Sequence, residues 1–206
     1  RYHIVINREQ LSDDPQLIDY LVQLASCVRV TVIDTHELGP VYSALQVEGI
    51  GSDEEVIVSY CDFIVEWSFP LFLRSVQGAD GGIVSFKGFH PASFGDTYYA
   101  YMRVNKENRM LELREKRAFT DQRHEEHASA GIYYFNNGST FRRYGEQYLE
   151  KGTRELPEVY ASLLYNDMVT DGLDVIVHDA RKFLCLGTPG DLEQYQFWWR
   201  YFTDSH

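Results

Sequence analysis

Runs of β-branched residues alternate with helix-compatible runs through the first half of this chain, and that alternation restricts its fold more than any other feature. Residues 28–33 read Val-Arg-Val-Thr-Val-Ile, and residues 55–60 read Glu-Val-Ile-Val-Ser-Tyr. Strands are therefore expected at 3–7, 28–34, 55–62 and 82–87. The near-continuous apolar run at 55–62 predicts a strand covered on both faces. Between them, Leu17, Ile18, Leu21, Val22, Leu24 and Ala25 fall at helical spacing behind an Asp-Asp-Pro start signal. Helices are expected at 15–26, 40–48 and 70–77. Strand, helix, strand, helix, strand predicts parallel pairing with right-handed crossovers.

The middle of the chain changes character. Segments 98–104, 110–114 and 131–135 read as strands with no helix between them, and 105–108 as a polar hairpin turn. The end returns to helices at 141–151, 159–171 and 191–202, with one strand at 174–178. The expected architecture is a three-layer α/β domain spanning residues 1–206, a mixed and mainly parallel sheet with helices on both faces. Trp198, Trp199, Tyr195 and Phe202 are expected to dock the last helix against the sheet or an adjacent domain.

Composition narrows the partners. There are 19 Lys and Arg against 31 Asp and Glu, a formal charge of −12, so no nucleic acid or anionic membrane is expected to be gripped by bulk charge. A few local cations or a bound metal still suffice for one small anionic ligand. No apolar run approaches the roughly 20 residues that span a bilayer; the segment 63–73 is broken by Glu66, Ser68 and Pro70. Cys27, Cys61 and Cys185 are too sparse for a disulfide framework and read as buried, reduced thiols of a cytoplasmic protein. The chain opens at Arg1 directly into a strand, as a piece of a longer protein would.

In an open α/β sheet, ligands bind beyond the carboxyl ends of the strands. The loop after the second strand, Asp34-Thr35-His36-Glu37-Leu38-Gly39-Pro40, feeds a helix and can bring backbone N–H groups to a base or phosphate. It also reads as an ordinary connection with Pro40 in the first helical turn. Asp62 follows the third strand, where burying an acid is expensive, and reads as a Mg²⁺ ligand or a helix cap. Glu115, Lys116 and Arg117 end a strand and can meet a phosphate ester and sugar hydroxyls, or form a solvated end. His124 and His127 are one residue too close for a helical zinc pair.

The order of several segments resembles the sugar-phosphate nucleotidyltransferase family, in its surface and capsular polysaccharide branch. The segments are Gly39-Pro40-Val41-Tyr42-Ser43-Ala44-Leu45, Val58-Ser59-Tyr60-Cys61-Asp62, Arg114-Glu115-Lys116, Ala130-Gly131-Ile132-Tyr133-Tyr134-Phe135 and Leu184-Cys185-Leu186-Gly187-Thr188-Pro189. The resemblance implies transfer of a nucleoside monophosphate from an NTP to a sugar phosphate or related phosphate, with Mg²⁺ and release of pyrophosphate. It places Gly39, Pro40 and Ser43 beside the nucleotide, Asp62 on the metal, Glu115 and Lys116 on the sugar phosphate, and Gly131 where backbone approaches the sugar.

Two departures bear on that expectation. The family's opening strand and Gly-rich loop should precede Arg1, so this piece alone is expected to be inactive. Cys185 stands where many members have a second metal-binding Asp, and a thiol suits Mg²⁺ poorly. The alternative expectation is a non-catalytic nucleotide-sugar-binding or regulatory domain, fused to another domain or in a homo-oligomer. A GT-A glycosyltransferase would show Asp-x-Asp, but Asp62-Phe63-Ile64 holds one acid.

Overall fold

The structure, a computed structural model, describes residues 1–95, 98–151 and 158–203. The first half runs β1 (Tyr2–Asn7), α1 (Arg8–Asp13), α2 (Leu17–Gln23), β2 (Val28–Ile33), α3 (Pro40–Leu45), β3 (Val56–Ser59), β4 (Phe63–Glu66), α4 (Phe69–Ser75) and β5 (Gly81–Phe86). The second runs α5 (Pro91–Phe94), β6 (Tyr101–Val104), β7 (Met110–Arg114), a 3₁₀ turn at Arg123–Glu125, β8 (His127–Phe135), α6 (Gly138–Lys151), α7 (Ala161–Thr170), β9 (Val175–Asp179), β10 (Lys182–Cys185) and α8 (Pro189–Thr203).

β5 lies at the centre. It pairs antiparallel with β8 and parallel with β9, and all six of its residues are buried. Side chains alternate between faces. Ile83 joins Tyr133, Phe135, Leu164, Tyr165 and Met168 under α6 and α7. Val84 and Phe86 point to the other face, with Phe72, Val76, Tyr134 and Phe183. Phe183 of β10 stacks on Phe86 at 4.2 Å between ring centroids. The molecule is thus a three-layer α/β arrangement with a core on each side of the sheet.

Parallel pairing joins β1 to β2 and β5 to β9, whereas β3, β5 and β6 each pair antiparallel with β8, as β6 does with β7 and β4 with β10. The sheet is mixed, and antiparallel pairs outnumber parallel ones among the described residues. The reason is β8, a nine-residue strand running against three neighbours. The expected hairpin turn forms: the Asn105 side chain accepts from the N–H groups of Glu107 and Arg109, and Asn108 takes φ +59°.

Four expectations are corrected. β3 is not covered on both faces: its residues alternate between half-buried and exposed, because β8 is its one strand partner among the described residues and Ile57 and Ser59 face outward. α2 is shorter than expected and buries nothing, with Tyr20, Val22 and Leu24 exposed. α8 does not dock on the sheet: no residue of it is buried, and Trp199 and Phe202 are 56% and 77% exposed. The thiols are not buried either, since Cys27 and Cys61 are exposed and Cys185 is intermediate. No helix among the described residues is long and apolar enough to cross a membrane.

Candidate functional site

β3, β5 and β9 all run in one direction, because β3 and β5 oppose β8 and β9 parallels β5. Their carboxyl ends therefore emerge at one edge, where Asp62 lies. Tyr60 leaves β3 with its N–H on the Gly131 carbonyl at 3.0 Å and its ring edge-on to Tyr133. Its hydroxyl accepts the Ala161 N–H at 3.2 Å, serving the start of α7, whose own N-cap residue offers no side-chain bond. Burial raises the Tyr60 pKa well above the ordinary phenol value, so this acceptor stays neutral.

Asp62 is exposed, so the cost of burying an acid does not explain its presence. Its main-chain oxygen accepts the Leu186 N–H at 2.7 Å. Its carboxylate receives no hydrogen bond or ion pair among the described residues. One carboxylate oxygen faces Gly187, where an added Cβ would stand 2.8 Å from it and 3.4 Å from the Cys185 sulfur. Only glycine admits so close an approach of the carboxylate without a shift. No group of three or more metal-ligating side chains occurs among the described residues. A single uncommitted carboxylate fits Mg²⁺ of the kind held chiefly by substrate phosphates and water.

Gly39 takes φ +88° and ψ 176°, a region essentially restricted to glycine. An added Cβ would meet the Val159 backbone nitrogen at 2.6 Å. Val159 donates to the Leu38 carbonyl and accepts from the Val41 N–H. Pro40 and Ser43 line a concavity of about 290 Å³ with Ile6, Ile33, His36 and Glu158. The Leu38 N–H donates to His36 Nδ1, so the ring proton sits on Nε2 and reaches the Ser43 hydroxyl at 2.9 Å.

Glu115 and Lys116 turn opposite ways. Glu115 is half-buried and takes a hydrogen bond from the Ser162 hydroxyl. Burial pushes its pKa up, against the lowering effects of Ser162 and Lys116. Lys116 adopts φ +56°, points outward, and holds its Nζ 5.4 Å above the Tyr160 ring. Gly131 takes φ +80° where the β5–β8 register shifts, and a Cβ there would stand 3.1 Å from both Tyr60 and Phe63. Its geometry sets the exit of β3; nothing in its surroundings adds to the expected sugar contact.

One short segment ties these stations together. Val159 rests on Gly39, Tyr160 lies under Lys116, Ala161 binds Tyr60 and Ser162 binds Glu115. Asp62 follows Tyr60 by two residues, and no hydrogen bond or ion pair links its side chain to Glu115 or Lys116 among the described residues. The sequence predicts a helix over 159–171 but does not show residues 159–162 as the common support, nor the parts played by His36, Tyr60 and Gly187. For His36 the polar 34–37 loop was a usable signal; for the others the contacts are long-range and leave no local trace.

Solved structures similar to this chain include the following three. One is a nucleoside-diphosphate-sugar pyrophosphorylase from Vibrio cholerae RC9, at 18% identity and TM-score 0.73, covering 94% of this chain and 79% of that one. Another is an inositol-1-phosphate CTP transferase from T. maritima, at 16% identity and TM-score 0.61, covering 98% and 77%. The third, a putative glucose-1-phosphate thymidylyltransferase from Bacillus anthracis in complex with a sucrose, has 14% identity and TM-score 0.67, covering 99% and 76%. No protein-family model and no curated protein sequence matches. At these identities the similarity establishes one thing: the chain shares the fold of these proteins.

Proposed function

We propose that this protein transfers a nucleoside monophosphate from an NTP to a sugar phosphate or related phosphate, releasing pyrophosphate, in the cytoplasm and for surface-polysaccharide precursors. The observation that carries the reading is the Asp62 carboxylate, exposed and without a donor among the described residues just beyond β3, in a fold shared with a nucleoside-diphosphate-sugar pyrophosphorylase and two nucleotidyltransferases.

In this reading an oxygen of the acceptor phosphate attacks the α-phosphorus, and the bond to the β-phosphate oxygen breaks. Catalysis is then positioning and charge neutralisation. Lys116, exposed and ammonium-bearing, holds the acceptor phosphate. Glu115, fixed by Ser162, accepts from sugar hydroxyls. Gly39, Pro40 and Ser43 border the nucleotide; Gly131, whose Cβ position faces the Tyr60 and Phe63 rings, is assigned to the sugar by the family resemblance alone. Asp62 would hold Mg²⁺, which when bound offsets negative charge on the phosphates.

One observation favours a second reading. Cys185, not a carboxylate, stands beside Asp62, as a non-catalytic nucleotide-sugar-binding or regulatory domain would permit. Pyrophosphate release by the intact protein, screened over four NTPs and a panel of sugar phosphates, separates the two. Catalysis predicts release with one pair, its loss in Asp62→Asn, and in Lys116→Ala a raised KM for the acceptor with kcat less affected. Nucleotide binding without release by any pair favours the regulatory domain. Unchanged turnover in Asp62→Asn removes Asp62 from the mechanism.

A further inference from the structure

α8 leaves the body of the molecule with most of its aromatic surface in water. None of its described residues is buried, and Phe197, Trp198, Trp199, Tyr201 and Phe202 are 51% to 77% exposed. The ring contacts of Phe197, Trp198, Tyr201 and Phe202 are with one another. At about 150–250 Å² per aromatic side chain, these five leave roughly 600 Å² uncovered, the size of the largest patch on an ordinary monomer. Residues 197–202 are apolar around the whole helix except at Arg200, the pattern of a helix that is enclosed.

One face of α8 is complementary to itself. Glu193, Gln196, Phe197, Arg200 and Tyr201 line a shallow concavity of about 470 Å³. The first four stand at i, i+3, i+4 and i+7, the hole into which a facing helix sets a side chain. Glu193 and Arg200 lie about 10.5 Å apart along one stripe, and neither has an ion-pair partner among the described residues. A copy of α8 turned antiparallel, about an axis between Gln196 and Phe197, brings Glu193 opposite the partner's Arg200 and Arg200 opposite the partner's Glu193. It also sets each Phe197 over the other helix's hole. Two such patches supply about 1,200 Å², the lower end of stable specific interfaces. With two acids and one Arg on α8 and a chain charge of −12, an anionic membrane is a poor occupant of the same face.

We propose that α8 is a dimerisation helix that packs antiparallel on the α8 of a second copy, registered by the two Glu193–Arg200 pairs. The proposal goes beyond the nucleotidyl-transfer reading and does not depend on it.

The test is sedimentation velocity on the full-length protein across a concentration series. Wild type should sediment as a dimer. Glu193→Arg and Arg200→Glu each put like charges opposite at two symmetric points, so each should raise the dissociation constant by about a hundredfold or more. An equimolar mixture of the two variants should recover the dimer, because every facing pair is again opposite in charge, which misfolded variants would not do. A monomeric wild type overturns the proposal, whether its α8 tryptophans then prove to be covered by another segment of the chain, read as blue-shifted emission, or to bind anionic lipid vesicles. A dimer indifferent to both substitutions, or no recovery in the mixture, overturns the antiparallel pairing.

Discussion

Replacing Gly39 with alanine should destabilise the protein by about 2–6 kcal/mol, a large share of the roughly 5–15 kcal/mol that holds a domain folded. Two contributions add. The backbone sits at φ +88° and ψ 176°, where a side chain costs of order 1–3 kcal/mol. The new Cβ would also fall 2.6 Å from the nitrogen and 2.9 Å from the oxygen of Val159. Both are backbone atoms, so no rotamer change relieves the overlap. Separating the segments would break the Val41–Val159 and Val159–Leu38 hydrogen bonds, each worth about 0.5–1.5 kcal/mol net. Gly49 supplies the control: it has φ +76° with nothing within 4 Å of its Cβ position, so Gly49→Ala carries the left-handed strain alone, about 1–2 kcal/mol. Urea denaturation of both variants, compared at a common m value, reads the difference. If Gly39→Ala loses no more stability than Gly49→Ala, Val159 does not rest on Gly39. The chain of support to Tyr60, Glu115 and Lys116 is then wrong at its first link.

Two pH experiments test the carboxylates with shifted titration, exposed Asp179 and half-buried Glu115. Burial pushes Asp179 up, but hydrogen bonds from His127 and Ser85 and the nearby Lys87 charge outweigh it and bring the pKa from 3.8 to about 2. A depressed carboxylate stabilises above its unfolded value and loses that stabilisation as pH falls through the folded one. Wild-type stability should therefore fall more steeply than that of Asp179→Asn between about pH 4 and pH 2; parallel curves would refute the assignment. Glu115 has the opposite sign, because burial raises its pKa above 4.5. Its contribution favours the folded state at low pH and is lost as pH rises. Glu115→Gln should retain the Ser162 bond and be the more stable protein at pH 7, the gain vanishing near pH 4; no gain at pH 7 means Glu115 is not desolvated.

The parts of the fold that could be read from sequence are those with local causes. Dense β-branched runs located β1, β2 and β5, and Asn105 to Asn108 located the hairpin between β6 and β7. β4 and β10 escaped notice because each has four residues, and their pairing joins positions more than a hundred residues apart. α1 was overlooked although its capping box, Asn7 with Gln10, was legible. Apolar periodicity in α2 and α8 correctly indicates helices, but it shows that a face is apolar, not that anything covers it. At the site, an acid ending a strand was visible as Asp62. Its freedom from donors, its approach to Gly187, and the support lent by residues 159–162 arise from tertiary contacts that no spacing records.

The central claim is that Asp62 joins a nucleotide's phosphates to the protein through a divalent ion. Calorimetric titration of the full-length protein with NTP, with Mg²⁺ or Co²⁺ present or chelated, tests it directly when run beside Asp62→Asn. Nucleotide binding should require the ion, and it should weaken by about tenfold or more in Asp62→Asn, with the urea midpoint unchanged because that carboxylate makes no hydrogen bond or ion pair among the described residues. Equal affinity for the two proteins, or binding indifferent to the ion, would contradict the account.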